Sequence, residues 1–352
     1  MPPLSEEVNN ASNWSATASS DEKQQPNFDG ADVSTRSSQS ETRQDKHSHP
    51  LALYEEIPDW YQDNPYIRRG YRPVSNSARV CFGSWLYLHN ETVNIFTHLV
   101  PAIALFISGL AYLVSRLQHR NSNDAGVVAI LLLSATACLG LSCAYHTLMC
   151  HSREVEALWL RLDFVGIILL ILGSLISGVY VGFWCETLER NIYWSMASNS
   201  HSQFTSLIIP LAVPRSTKPS KHHIGSLAAI SIIIVLAPTF QGPKWRTLRL
   251  LTFVCTGFSG LAPIIHGIVM FGFAQMMKQS GLPYYLAEGG LFLIGAIVYA
   301  TRFPESISPG LFDIYGSSHQ IFHVLVVLAT GVHLAGVLDA LDYNYYNRQC
   351  LG

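Results

Sequence analysis

Long apolar runs dominate the chain from residue 93 onward. A helix needs about 20 apolar residues to cross about 30 Å of hydrocarbon. Six stretches have that character: Val93–Ser115, Ala125–Leu148, Phe164–Trp184, Leu250–Ala274, Pro283–Thr301 and Ile314–Leu338. Few titratable side chains interrupt them, among them His98 in the first and Glu288 in the run from Pro283. A seventh run is damaged. After Trp184 the chain reads CETLERNIYWSMA, then turns Pro-, Ser- and Lys-rich over Ser198–His223 before apolar character returns over Ile224–Phe240. Such a stretch cannot stay helical in lipid, because its unpaired backbone groups would each cost several kcal/mol. The pattern predicts an all-α membrane protein, a seven-transmembrane-helix bundle whose fourth span is Ile224–Phe240.

The polar parts set the rest of the organisation. Residues 1–50 are rich in Ser, Asn, Gln and Asp and nearly free of aliphatics, so they are expected to form a disordered tail. Residues 51–90 mix Trp and Tyr with acids and arginines, the composition of an amphipathic lead-in at a headgroup boundary. Residues 91–342 form the expected seven-helix domain, with an atypical insertion over 198–226, and 343–352 a C-terminal tail. Lys and Arg near span ends favour one side: Arg68, Arg69, Arg72, Arg79, Arg153, Lys244, Arg246, Arg249 and Arg302. The positive-inside rule makes that side cytosolic, which puts the N-terminus and both leading segments in the cytosol and the C-terminus outside.

Composition agrees. Of 352 residues 49% are hydrophobic and 13% charged, with a net charge of −2, so there is no basic field to attract nucleic acid. The first residues, MPPLSEEVNN, lack a basic start leading into an apolar stretch, so no cleavable signal is expected. The chain is read as a multi-pass protein of the plasma membrane or endoplasmic reticulum. Seven cysteines lie scattered without a CxxC pair; this argues against a disulfide framework and for core thiols.

The topology brings polar groups to one level. His146 lies near the cytosolic end of the second span, Asp163 at the cytosolic start of the third, and His319 and His323, at i and i+4, on one face at the start of the last. Three neutral imidazoles with an open fourth position are the ligand set of a catalytic zinc. Asp163 would orient a ligand or water, and Ser142, one turn before His146, could donate to water or to a substrate oxygen. A second stripe, Glu91, Asn94 and His98, opens the first span; inter-helix hydrogen bonding accounts for it slightly better than direct chemistry. Lone histidines His98, His266 and His333 are expected to be packed or hydrogen-bonded.

The motifs ETVNIFTH from Glu91, SCAYH from Ser142, LDFVGI from Leu162 and RFPESISPGLFDIYGSSHQIFHVLVVLATGVH from Arg302 closely resemble the progestin and adipoQ receptor family, with its adiponectin receptors and hemolysin III relatives, in a fungal-type member. The resemblance runs from about residue 51 to the C-terminus. It implies a seven-helix receptor-like fold and Zn2+ held by His146, His319 and His323 near the inner leaflet, with Asp163 and Ser142 as polar partners. It also implies a lipid ligand or substrate, ceramide-like or sterol-like, and either a ceramidase-like zinc-dependent hydrolase or a lipid and zinc homeostasis protein. The alternative is a non-enzymatic receptor with a structural zinc site; any extracellular ligand is open. In the family ERNIYW runs straight into the fourth span, whereas residues 198–226 intervene here, as a retained intron or as an outer loop.

Overall fold

Why the apolar runs become helices is plain in the computed structural model, which describes residues 51–118, 122–196 and 242–350 together with residues 233, 234, 236, 237 and 240. A bilayer leaves backbone N–H and C=O groups no water, so each run satisfies them internally. In chain order the elements are α1 (Ala78–Gly83), α2 (Thr92–Gln118), α3 (Ser122–Leu148), α4 (Arg153–Gly182), α5 (Arg246–Phe258), α6 (Leu261–Phe271), α7 (Phe273–Gln279), α8 (Leu282–Thr301) and α9 (Ser318–Asn347), with a further helical stretch over residues 187–196. Among the described residues six helical spans are long and apolar enough to cross a membrane, α5 and α6 together making one of them. The expected fourth span, Ile224–Phe240, lies almost wholly outside the described residues; of it, Leu236 is buried against Val165, Ile168 and Leu172 of α4. The tail over 1–50 and the insertion over 198–226 also lie outside them.

Element ends follow local chemistry. α4 starts at Arg153, well before the apolar run, with Ser152 in extended geometry ahead of it and Glu154 and Glu156 in its first turn, where acids complement the helix dipole. α9 starts four residues later than its apolar run. Gly316 takes a positive φ of 80°, and the Glu305 carboxylate accepts from the Ser318 N–H at 2.7 Å and from the Ser318 hydroxyl, capping the helix where its first N–H groups lack partners. At its far end α9 runs on to Asn347. Gly272, at φ 81°, separates α6 from α7.

α3 packs between α2 and α4, and α9 lies against both α8 and α2. The α3–α4 contact depends on small residues. A Cβ on Gly166 would fall 2.9 Å from the Cys138 Cα, and one on Gly173 would overlap Ser134. Close backbone approach of this kind drives helix association where the hydrophobic effect between helices is absent. Gly166→Val should therefore separate α3 from α4 and destabilise the bundle by about 1–3 kcal/mol. Thermal unfolding of the purified variant checks this, and a melting curve matching wild type would refute the close-contact account. The outer face of α2 carries exposed Val100, Ile103, Phe106, Ile107 and Leu110, an apolar surface suited to lipid.

The lead-in is more than a surface amphipath. Ala52 and Tyr71 bridge antiparallel. Ile57, Tyr61, Ile67 and Tyr71 are buried with Cys81 against Leu148, Met149 and Cys150 at the end of α3. Arg68 N–H donates to Asp313 at 2.8 Å and Gly310 N–H to the Tyr66 carbonyl at 3.0 Å, which fixes the lead-in to the loop between α8 and α9.

The expectation of thiols alone needs correction: Cys185 and Cys350 form a disulfide. They are 165 residues apart in sequence, a separation that no spacing motif reveals. Cys81, Cys138, Cys143 and Cys150 are buried free thiols, as expected, and Cys255 is an exposed one.

Candidate metal centre

Helix ends create the centre. His146 sits in the last turn of α3, while His319 and His323 occupy successive turns at the start of α9. One ring nitrogen from each of the three lies within 4.8 Å of the others. Nε2 of His319 is 3.1 Å from Nε2 of His146 and 3.2 Å from Nε2 of His323. The predicted trio is thus brought together.

Outer partners fix which nitrogen faces inward. Nδ1 of His146 meets Glu91 Oε2 at 2.7 Å, and Asn94 Nδ2 donates to the same oxygen at 2.7 Å. Nδ1 of His323 donates to the Asn94 carbonyl at 3.2 Å. With their Nδ1 protons committed outward, both rings turn Nε2 lone pairs toward His319. One proton on His319 Nε2 could satisfy only one of them; a single cation would satisfy all three. Tetrahedral zinc with Zn–N of about 2.0–2.1 Å requires nitrogens about 3.3 Å apart, close to the 3.1 and 3.2 Å from His319 Nε2 to its two neighbours. Donor chemistry and spacing both fit a zinc ion. The carboxylate behind His146 is the usual outer partner of a ligating imidazole.

Glu91 and Asn94 of the stripe therefore do make inter-helix hydrogen bonds, to the cluster itself, whereas His98 meets it by ring stacking. His98 stacks on His323, ring centroids 3.7 Å apart and 8° between planes, with both its nitrogens buried and unpartnered among the described residues. Ahead of α2, burial and nearby Arg72 drive His89 down to about 3. It stays neutral, so its Nδ1 accepts from the Glu91 N–H at 3.1 Å, holding the residue that holds His146. Arg72 does the same for the backbone, donating to the His146 carbonyl at 2.5 Å and the Thr147 carbonyl at 3.0 Å.

Ser142 and Asp163 interact side chain to side chain, and both line a cavity of about 460 Å³ that also touches His319 and His323. The cavity is large enough for a lipid chain. Along α4 its walls run from Asp163 to Phe183, about 30 Å at 1.5 Å per residue. Most of the lining is apolar, including Ile171, Leu175, Phe253 and Ile264.

At the other end stands a polar group that the sequence reading left in pieces. His333, expected to be hydrogen-bonded, is 2.6 Å from Glu288 Oε2 through Nδ1 and 3.0 Å from Ser177 Oγ through Nε2. Glu288 was visible as the one acid inside its span, but nothing in the spacing joined it to a residue on α9. His266 meets the Tyr193 hydroxyl at 3.1 Å.

Comparison with known proteins places this geometry among relatives. Residues 86–334 match the family described as haemolysin-III related. The chain is 37% identical over 298 residues to the adiponectin receptor protein of Drosophila melanogaster, covering 84% of this chain and 61% of that protein. It is 35% identical over 297 residues to progestin and adipoQ receptor-like protein 1 of Caenorhabditis elegans, covering 84% and 62%. The chain therefore spans less than two thirds of the length of these two relatives. An ADIPOR-like receptor of Saccharomyces cerevisiae is 34% identical over 294 residues, covering 83% of this chain and 84% of the relative.

Proposed function

Because this chain belongs to the haemolysin-III related family and is an integral multi-pass membrane protein, we propose that it is a zinc-dependent intramembrane hydrolase acting on the amide of a ceramide-like lipid. The observation that carries the reading is the convergence of three Nε2 atoms beside a long apolar cavity that Asp163 and Ser142 also line. His146, His319 and His323 would hold the ion, which when bound supplies Lewis acidity that acidifies water and polarises a carbonyl. The cavity walls hold the acyl chain and keep bulk water away. Asp163 accepts a proton from water at its carboxylate and passes it to the leaving amine. Ser142 holds that carboxylate in place and can donate to a substrate oxygen.

The orientation proposed is a cytosolic N-terminus and an outer C-terminus. The Cys185–Cys350 disulfide supports it, since such bonds persist in oxidising compartments, and it ties the far end of α4 to the C-terminus. A seventh crossing between α4 and α5 is supported by ring contacts. Phe253 lies 5.8 Å from Phe164 and the Arg249 guanidinium 5.2 Å from the same ring, so the first two turns of α5 lie beside the first half of α4 rather than beside its end at Gly182.

The three relatives above are receptors by name, which favours a second reading in which zinc is structural and the bundle transmits a ligand signal. Asp163→Asn separates the two. Under the first reading, turnover of a ceramide panel by purified protein falls by about 100-fold or more, the scale of a lost general base, while zinc content by elemental analysis stays near wild type. Wild-type protein that binds zinc and releases no fatty acid leaves the receptor reading in place.

A further inference from the structure

The polar group at the far end of the cavity has no part in the chemistry above. Ser177 on α4, Glu288 on α8 and His333 on α9 meet there, and Ser177 also donates to the Gly173 carbonyl at 2.9 Å. Ser177 does not line the cavity, whereas Glu288 and His333 do. That arrangement suits anchoring better than nucleophilic attack: the hydroxyl secures the imidazole, and the imidazole secures one carboxylate oxygen. Among the described residues no hydrogen bond is made by the second carboxylate oxygen of Glu288. One turn earlier on α8, Tyr285 packs edge-on against His333, ring centroids 5.1 Å apart, and also lines the cavity. Its hydroxyl is buried and has no hydrogen-bond partner among the described residues. Gly178 lies beside it: a Cβ there would fall 2.6 Å from that oxygen, so the glycine makes room for it.

A buried hydroxyl left unsatisfied is destabilising, and among the described residues no group relieves it; an atom held in the cavity would. The two open groups differ in kind: the carboxylate oxygen only accepts, and the phenol can donate. A ligand hydroxyl donates and accepts from a single atom, so one small group uses both; an ammonium would leave the phenol proton unused, and a carboxylate would face Glu288. We propose that Tyr285 and Glu288, with His333 as positioning residue, form a second polar subsite that takes a hydroxyl at the end of a lipid chain whose other polar end lies at the imidazole trio.

Along α9 the fourteen residues from His319 to His333 rise about 21 Å. An extended chain gains about 1.3 Å per tetrahedral carbon, which sets the span at about 16 carbons. The subsite thus measures chain length as well as the terminal group. It rests on the reading that the cavity takes a lipid chain, and the experiment keeps the two apart. Equilibrium binding of radiolabelled palmitic acid and of its omega-hydroxy derivative is measured on the purified full chain loaded with zinc. Wild type should bind the hydroxy acid about tenfold tighter or more, the scale of a hydrogen bond to a charged group. Tyr285→Phe and Glu288→Gln should each remove most of that preference while leaving palmitic acid binding and zinc content unchanged. Equal affinities in wild type, or variants that weaken both acids alike, would overturn the subsite and leave the lipid cavity standing. Binding of neither acid would overturn both.

Discussion

Purified His323→Ala should carry less than about a tenth of the zinc found in the wild-type protein, by elemental analysis of samples dialysed against the same metal concentration. Losing an outer partner of a ligand costs about 10–100-fold in metal affinity, and losing a ligand costs more. The position offers little relief: His323 is 2% exposed, its Nδ1 is held by the Asn94 carbonyl, and His98 lies flat on its face. Glu91→Gln provides the graded comparison. It keeps an acceptor for His146 Nδ1 but removes the charge, so zinc affinity should fall by about 10–100-fold with the trio intact. Full zinc content in His323→Ala, in protein that still melts cooperatively, would remove the residue from the ligand set.

The inner residues of this site were legible in the sequence, and their supports were not. His319 and His323 share a helix face by spacing, and topology brings His146 to their level, so the trio could be read from linear order. Glu91 was visible as part of a stripe, but its choice of His146 across 55 residues is set by how α2 leans on α3. The Glu288–His333 contact spans 45 residues and two helices, and hydropathy patterning carries no information on which faces of neighbouring helices meet. Helix existence was readable for the same reason that its ends were not. Apolar length marks where a helix must be, while α4 extends ahead of its apolar run on a Ser152 start with acids behind it, and α9 waits for Glu305 to cap it. The Cys185–Cys350 bond joins the turn after α4 to the segment after α9, brought together only when the bundle closes.

Arg72 carries this difference furthest, and replacing it should give the largest loss of stability. Counted along the sequence it is one of several positive charges marking a membrane side; in the fold it is 1% exposed. Its guanidinium donates to Ser84 Oγ at 2.9 Å and to the carbonyls of Thr147 and His146. Those two carbonyls lie at the end of α3, where a helix has no internal donors for its last C=O groups and where a cation meets the negative end of the helix dipole. Arg72→Met fills the space but supplies no donor, leaving buried acceptors at about 1–3 kcal/mol each. The expected loss is about 2–5 kcal/mol, read as a melting temperature lower by more than about 5 °C. Arg72→Lys should recover only part of this, because an ammonium cannot reproduce the planar fork that spans three acceptors. Zinc retention should follow stability, since the carbonyl that Arg72 holds belongs to His146 itself. Melting of Arg72→Met within a degree of wild type would show that water or neighbouring groups satisfy the end of α3, and the link from the lead-in to the imidazole trio would then be lost.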